Sequence, residues 1–154
     1  RLAAEQGAVN AQFNLGFMYA NGEGVPEDDV EAVRWYRLAA EQGDARAQNN
    51  LGFMYGNGEG VPQDYVEAAR WTRLAAEQGY AEAQATLGST YSNGVGVPED
   101  DVLAYMWLNL AAAQGYEAAR EGKDILERRM TREQIAEAQR MSREWIAAHP
   151  PGGN

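Results

Sequence analysis

The stretch MYANGEGVPEDD, residues 18–29, returns as MYGNGEGVPQDY at residues 54–65 and, loosened, as TYSNGVGVPEDD at residues 90–101. Two glycines bracket a glutamate or valine, and Val-Pro then leads into acids. A glycine loop that cradles phosphate follows a strand and avoids acids where the anion sits. Here Glu23, Glu27, Asp28 and Asp29 would repel an anion. The acids also miss the spacing of a twelve-residue calcium loop. The recurrence points to punctuation between repeated elements. The glycines permit turns that a β-carbon forbids, and the proline fixes φ just ahead of the next element.

Working outward, RLAAEQG stands at Arg1, Arg37 and Arg73, and NLAAAQG follows at Asn109, a constant period of 36. Residues 1–36 and 37–72 agree at 27 positions, and 37–72 and 73–108 at 22, so the repeat decides the architecture. Each unit reads as two helices. The first runs from about Ala8 to Ala20, with Ala11, Leu15, Met18 and Tyr19 at the spacing of one buried helical face. Gly16, Gly52 and Gly88 lie inside that helix, where glycine costs about 1 kcal/mol against alanine. Their recurrence implies a neighbouring helix too close for a β-carbon.

The second helix starts near Asp28, Asp64 and Asp100, residues suited to accept an orphan N–H at a helix start. Its inner face is Ala32, Trp35 or Tyr36, and Ala39, matched by Ala68, Trp71, Ala75 and by Ala104, Trp107, Ala111. It stops at Gly43, Gly79 and Gly115. The tryptophans recur in register and read as core. Tyr36, Thr72 and Leu108 differ at the adjacent place and are expected at a partly exposed edge. The constant Asn21, Asn57 and Asn93 are expected to cap first-helix carbonyls from a left-handed conformation.

These motifs resemble the Sel1-like repeat family, α/α solenoids related to tetratricopeptide repeats. The family pattern appears as Ala11–Leu15–Gly16–Tyr19, Gly22–Gly24–Val25, Asp28, Ala32–Trp35 and Ala39–Ala40–Gly43. It recurs from Ala47 to Gly79 and from Ala83 to Gly115. The resemblance implies an all-α fold, a right-handed α/α superhelix of helix–turn–helix repeats closed by a C-terminal capping helix. The expected organisation is one solenoid over residues 1–149, with repeats at 8–43, 44–79 and 80–115. Residues 1–7 read as the end of a truncated preceding repeat, so that the chain is taken as a piece of a longer one. Residues 116–130 read as a degenerate repeat helix, with Ala118, Gly122, Ile125 and Leu126 as its stripe. TREQ at Thr131 is a capping-box signature and opens a helix over 131–147 with Ile135, Ala138, Met141 and Trp145 inward. Residues 150–154 read as a disordered tail.

Charge is uneven. The net charge is −10. All of it comes from residues 1–115, where 16 acids face 6 bases, while 7 of each follow. An acidic array repels nucleic acid and anionic lipid, and no apolar run approaches the ~20 residues of a membrane span. The absence of cysteine excludes disulfides and thiol chemistry. No zinc cluster, serine–histidine pair or held pair of carboxyls stands out. His149, the only histidine, sits at the frayed end. No cofactor and no catalytic residue is expected.

Function should sit where the repeat varies without serving its core. In the first helices such positions are Asn10 and Arg46; Phe13 and Asn49; Asn14, Asn50 and Thr86; Phe17, Phe53 and Ser89. They form one helical stripe beside the buried one. In the related tetratricopeptide modules the corresponding stripe lines the concave face and grips peptides. The resemblance therefore implies a non-catalytic scaffold or adaptor for a protein or peptide, with an acidic edge suited to a basic partner. Asparagine amides would hold backbone and phenylalanines would anchor side chains. Phe13, Phe17 and Phe53 have a second reading, packing against the preceding second helix. Other readings of the chain are a structural spacer and an enzyme or regulator acting on cell-wall material. An apolar N-terminal end would also allow end-to-end self-association.

Overall fold

The computed structural model describes residues 1–150, so of the tail read from residue 150 onward, 151–154 lie outside the described residues. Among the described residues there are helices and turns and no strand. The first helices are α2 (Val9–Asn21), α4 (Ala45–Asn57) and α6 (Ala81–Asn93), and the second helices are α3 (Asp29–Glu41), α5 (Tyr65–Glu77) and α7 (Asp101–Ala113). A short α1 (Leu2–Glu5) precedes them, and α8 (Glu117–Glu127) and α9 (Arg132–Ala148) follow.

The second helices begin where their caps are. Asp28 accepts from the Glu31 N–H at 3.1 Å, Asp64 from Val66 and Glu67 at 2.9 and 3.0 Å, and Asp100 from Leu103 at 3.0 Å. Each such cap contributes about 1 kcal/mol. Asn21 does cap a first-helix carbonyl, donating to Phe17 O at 2.8 Å, but the backbone of these helix ends differs from the expectation. Asn21, Asn57 and Asn93 keep helical backbone, and the left-handed residue is the glycine that follows, Gly22, Gly58 or Gly94. Glycine takes that conformation without the steric cost of a β-carbon, which leaves the asparagine free to stay in the helix.

The chain forms two compact units, residues 1–78 and residues 79 onward. In the first, α1 packs on α2, α2 on α3, α3 on α4 and α4 on α5. Its main core joins Val33, Tyr36 and Ala39 of α3 to Ala47, Leu51 and Met54 of α4 and Trp71 of α5. A smaller cluster joins Ala4, Leu15 and Trp35. The alanines set a close approach, and the mid-helix glycines make it closer. A β-carbon at Gly16 would stand 2.7 Å from the Tyr36 ring, and one at Gly52 would stand 2.5 Å from Thr72 Oγ1. This corrects the expected edge: Tyr36 and Thr72 are buried at 2% and 3% exposure because they fill the groove that glycine opens.

The second unit repeats the device, with Leu108 over Gly88, a β-carbon there standing 2.6 Å from its Cγ. Leu108 is likewise buried, not at an edge. Beyond that pair the pattern changes. α8 and α9 both pack on α7. α7 is adapted to this: Met106 and Leu110 are buried where α3 carries the exposed Arg34 and Leu38. α9 opens with the capping box, Thr131 accepting from the Gln134 N–H at 3.2 Å and Gln134 Oε1 accepting from the Thr131 N–H at 2.8 Å. Ala138 and Ser142 are its buried residues, and Ser142 Oγ donates to Ala138 O at 2.9 Å. Trp145 meets Trp107 edge-on, ring centres 6.2 Å apart. His149 is not in a frayed end. It caps α9 and stacks on Trp145 at 4.1 Å.

Candidate functional site

The stripe of variable first-helix residues divides into side chains held by the fold and side chains left free. In the first unit, Phe17 on α2 and Phe53 on α4 occupy the same place in successive repeats, and they are 42% and 62% exposed. Each stands one turn before its helix ends, where the apolar stripe of Leu15 and Leu51 has rotated away. Asn14 is exposed beside Phe17 on α2, and Asn10, also exposed, stands one turn further back.

The other members of the stripe are occupied. Phe13 is half-buried, its ring 5.8 Å from that of Tyr36, with the Arg46 guanidinium 4.2 Å above it. Asn49, at the same place one repeat later, is buried at 6% exposure. Neither offers a free face to a ligand, because this position points towards the second helix rather than outward. Arg46 donates to Asn10 Oδ1 at 2.8 Å and to Asp44 Oδ2 at 2.5 Å. The two residues read separately from the sequence are thus joined across one full repeat. Burial would raise the Asp44 pKa, but hydrogen bonds from Arg46 and from the Ala47 N–H, with the charge of Arg46, hold its carboxyl below the ordinary value. Asn50 is half-buried and hydrogen-bonded to Tyr36. Burial pushes the Tyr36 phenol up, and that bond offsets part of the rise.

In the second unit the equivalent positions carry hydroxyls. Thr86 and Ser89 are exposed on α6. Ser89 Oγ donates to Ala85 O at 3.2 Å and Thr90 Oγ1 to Thr86 O at 2.8 Å. This unit also has an open groove of about 550 Å³ lined by Asn109 and Ala112 of α7 and by Glu117, Glu121, Lys123 and Glu127 of α8. Its polar groups serve the fold. Lys123 Nζ donates to Asn109 Oδ1 at 2.7 Å, and the Tyr105 hydroxyl to Glu127 Oε1 at 2.7 Å. Burial, and then Glu127, push the Tyr105 phenol up to about 12.

The sequence reading missed the buried glutamines. Gln12, Gln48 and Gln84 lie on the core face of the first helices at 4%, 5% and 0% exposure. Each accepts from the glutamine near the end of its own second helix: from Gln42 at 2.7 Å, Gln78 at 2.7 Å and Gln114 at 2.9 Å. Their constancy through three units, directly after an alanine of the stripe, was the available signal. Among the described residues no cluster of three His, Cys, Asp or Glu side chains is placed to hold a metal ion. No helix among them is long and apolar enough to cross a membrane.

Three consecutive matches to the Sel1 repeat model cover residues 9–44, 45–80 and 81–116. Among solved structures, the Sel1 repeat protein from Oxalobacter formigenes is 46% identical, with a TM-score of 0.73, over 79% of this chain and 92% of that one. A protective antigen present in uropathogenic Escherichia coli strains, displaying an SLR fold, is 31% identical with a TM-score of 0.77, over 97% of this chain and 40% of that one. No curated protein matches the sequence.

Proposed function

Because this chain belongs to the Sel1 repeat family, we propose that it is a non-catalytic scaffold that binds a protein or an extended peptide on its first-helix face. The observation that supports this reading is the pair Phe17 and Phe53, two large apolar side chains left in solvent at the same place of successive repeats. A folded chain gains by burying such residues, and their recurrence in register supports a surface that a partner covers. The exposed amide of Asn14 lies one turn before the first of them. An amide both donates and accepts, so it can hold an extended backbone while the phenylalanines take its side chains. The acidic excess of residues 1–115 favours a partner with basic residues beside its apolar ones.

The test is a peptide-array screen with the protein, followed by titration of the best binders. The double variant Phe17→Ala with Phe53→Ala should weaken binding by at least about tenfold, since central aromatic anchors each contribute on the order of 2 kcal/mol. Binding that survives this variant unchanged removes the site. No binding to any peptide or protein favours the spacer.

A further inference from the structure

Each first helix closes on the dipeptide Asn-Gly: Asn21–Gly22, Asn57–Gly58 and Asn93–Gly94. Here the side-chain amide carbon can be attacked by the next backbone nitrogen, since glycine carries no β-carbon to block the approach. In all three the glycine N–H is engaged, donating to the carbonyl of Met18, Met54 or Thr90. Attack therefore requires the last helical turn to open, and it requires a free side chain.

The three differ in how the side chain is held. Asn21 Nδ2 donates to Phe17 O at 2.8 Å, and Asn57 Nδ2 to Glu59 Oε1 at 3.0 Å. The Asn93 side chain makes no hydrogen bond among the described residues. Against Asn57 the difference is in the sequence: Val95, 39% exposed, stands where the second repeat has the acceptor Glu59. The closing bond of the turn is also longest here, 3.2 Å from Val95 N to Thr90 O against 2.9 and 3.0 Å for the equivalent bonds of Glu23 and Glu59. Arg129 grips the carbonyl and hydroxyl of Ser92 at 3.0 Å, one residue short of Asn93.

We propose that Asn93 is a site of spontaneous covalent modification, converting to aspartate and isoaspartate faster than Asn21 or Asn57 in the folded protein. The Gly94 nitrogen bonds to Cγ of Asn93, the Cγ–Nδ2 bond breaks, and ammonia leaves with the amide proton. Water then opens the resulting succinimide at either carbonyl. Opening at one carbonyl gives aspartate, and opening at the other gives isoaspartate, with an extra methylene in the main chain. Both products put a carboxylate at the negative end of α6, where the helix dipole disfavours it.

The experiment is incubation of the folded protein at mildly alkaline pH, with peptide mapping of deamidated and isoaspartyl products at the three sites. Asn93 should accumulate them about fivefold faster than Asn57, the effect of one missing side-chain hydrogen bond. Val95→Glu should slow Asn93 to the Asn57 rate, and in urea the three rates should converge. Equal rates in the folded protein, an Asn93 rate indifferent to Val95→Glu, or an Asn93 lead that persists in urea would each overturn the proposal.

Discussion

Gln48 Nε2 donates to the carbonyl of Ala40 at 3.1 Å, while Gln48 Oε1 accepts from Gln78 Nε2 at 2.7 Å. One buried amide thereby ties the preceding second helix to the end of its own. Replacing it with leucine would leave the Ala40 carbonyl with the Gly43 N–H alone, at 3.0 Å, and release Gln78. Two buried hydrogen bonds are lost, each contributing about 1 kcal/mol, so Gln48→Leu should lose about 2 kcal/mol in urea unfolding despite its greater hydrophobicity. Gln48→Glu sets a carboxylate against that carbonyl. Burial would raise the glutamate pKa in the folded state, so its stability should be greatest at acid pH and fall as pH rises through that value.

Two glycines on one helix should respond with opposite signs. Gly52 has Thr72 Oγ1 at 2.5 Å and the Ala68 carbonyl at 3.0 Å from the place of a β-carbon, whereas Gly56 has only the Ala68 β-carbon, at 3.8 Å. Both are helical, so alanine relieves about 1 kcal/mol of backbone cost at either. At Gly56 that gain stands alone, and Gly56→Ala should raise the melting temperature. At Gly52 the backbone carbonyl cannot move aside. Gly52→Ala should lower the melting temperature, overpacking of about 1–3 kcal/mol outweighing the gain.

Trp35 and Trp71 occupy the same core position but differ in one bond. Trp35 Nε1 donates to Glu31 Oε2 at 3.2 Å, while the buried Trp71 Nε1 has no hydrogen-bond partner among the described residues, its neighbouring Glu67 being turned to Arg70 at 3.0 Å. Phenylalanine at position 35 forfeits a hydrogen bond. At position 71 it removes an unmet donor. Trp71→Phe should therefore be less destabilising than Trp35→Phe, by on the order of 1 kcal/mol in denaturant titrations.

The second unit should lose stability in alkali. Tyr105 is raised from an ordinary value near 10 to about 12 by burial and by Glu127. A phenol whose pKa is raised by folding stabilises the native state fully below its unfolded value, and that contribution disappears as pH rises from about 10 to about 12. Unfolding free energy measured across that window should fall, and Tyr105→Phe should flatten the fall. A variant that keeps the full slope would place the effect elsewhere.

How far these relations could be read in advance follows the range of the interaction. The Asp28, Asp64 and Asp100 caps act within one turn, so the starts of α3, α5 and α7 were legible. The repeated glycine at 16, 52 and 88 was legible because only a close neighbour explains it. What fills that space was not. Tyr36, Thr72 and Leu108 share no chemistry, and their burial depends on how near the backbones come. The glutamine pairs were hidden because a polar residue in a helix ordinarily signals a wet face, and Gln12 meets Gln42 only after the chain has folded back. On the candidate surface, Asn49 was misplaced for the same reason: its homologue Phe13 is half-buried, and an amide at that position gave no sign of sharing its environment.

The phenylalanines carried two readings, anchor or packing, and stability measurements separate them residue by residue. Phe13 lies between the Tyr36 ring and the Arg46 guanidinium. Its truncation removes both contacts and much of its buried area, so Phe13→Ala should cost about 2–3 kcal/mol. Phe53 is 62% exposed. Phe53→Ala removes little buried surface and trades a poor helix former for the best one, so its effect should fall within about 0.5 kcal/mol of zero. Phe17, 42% exposed, should fall between them and nearer to Phe53. If Phe53→Ala instead unfolds the protein as readily as Phe13→Ala, its side chain is part of the core and cannot be an anchor for a partner. A neutral Phe53→Ala leaves the fold intact and turns any loss of binding in the same variant into direct evidence of contact.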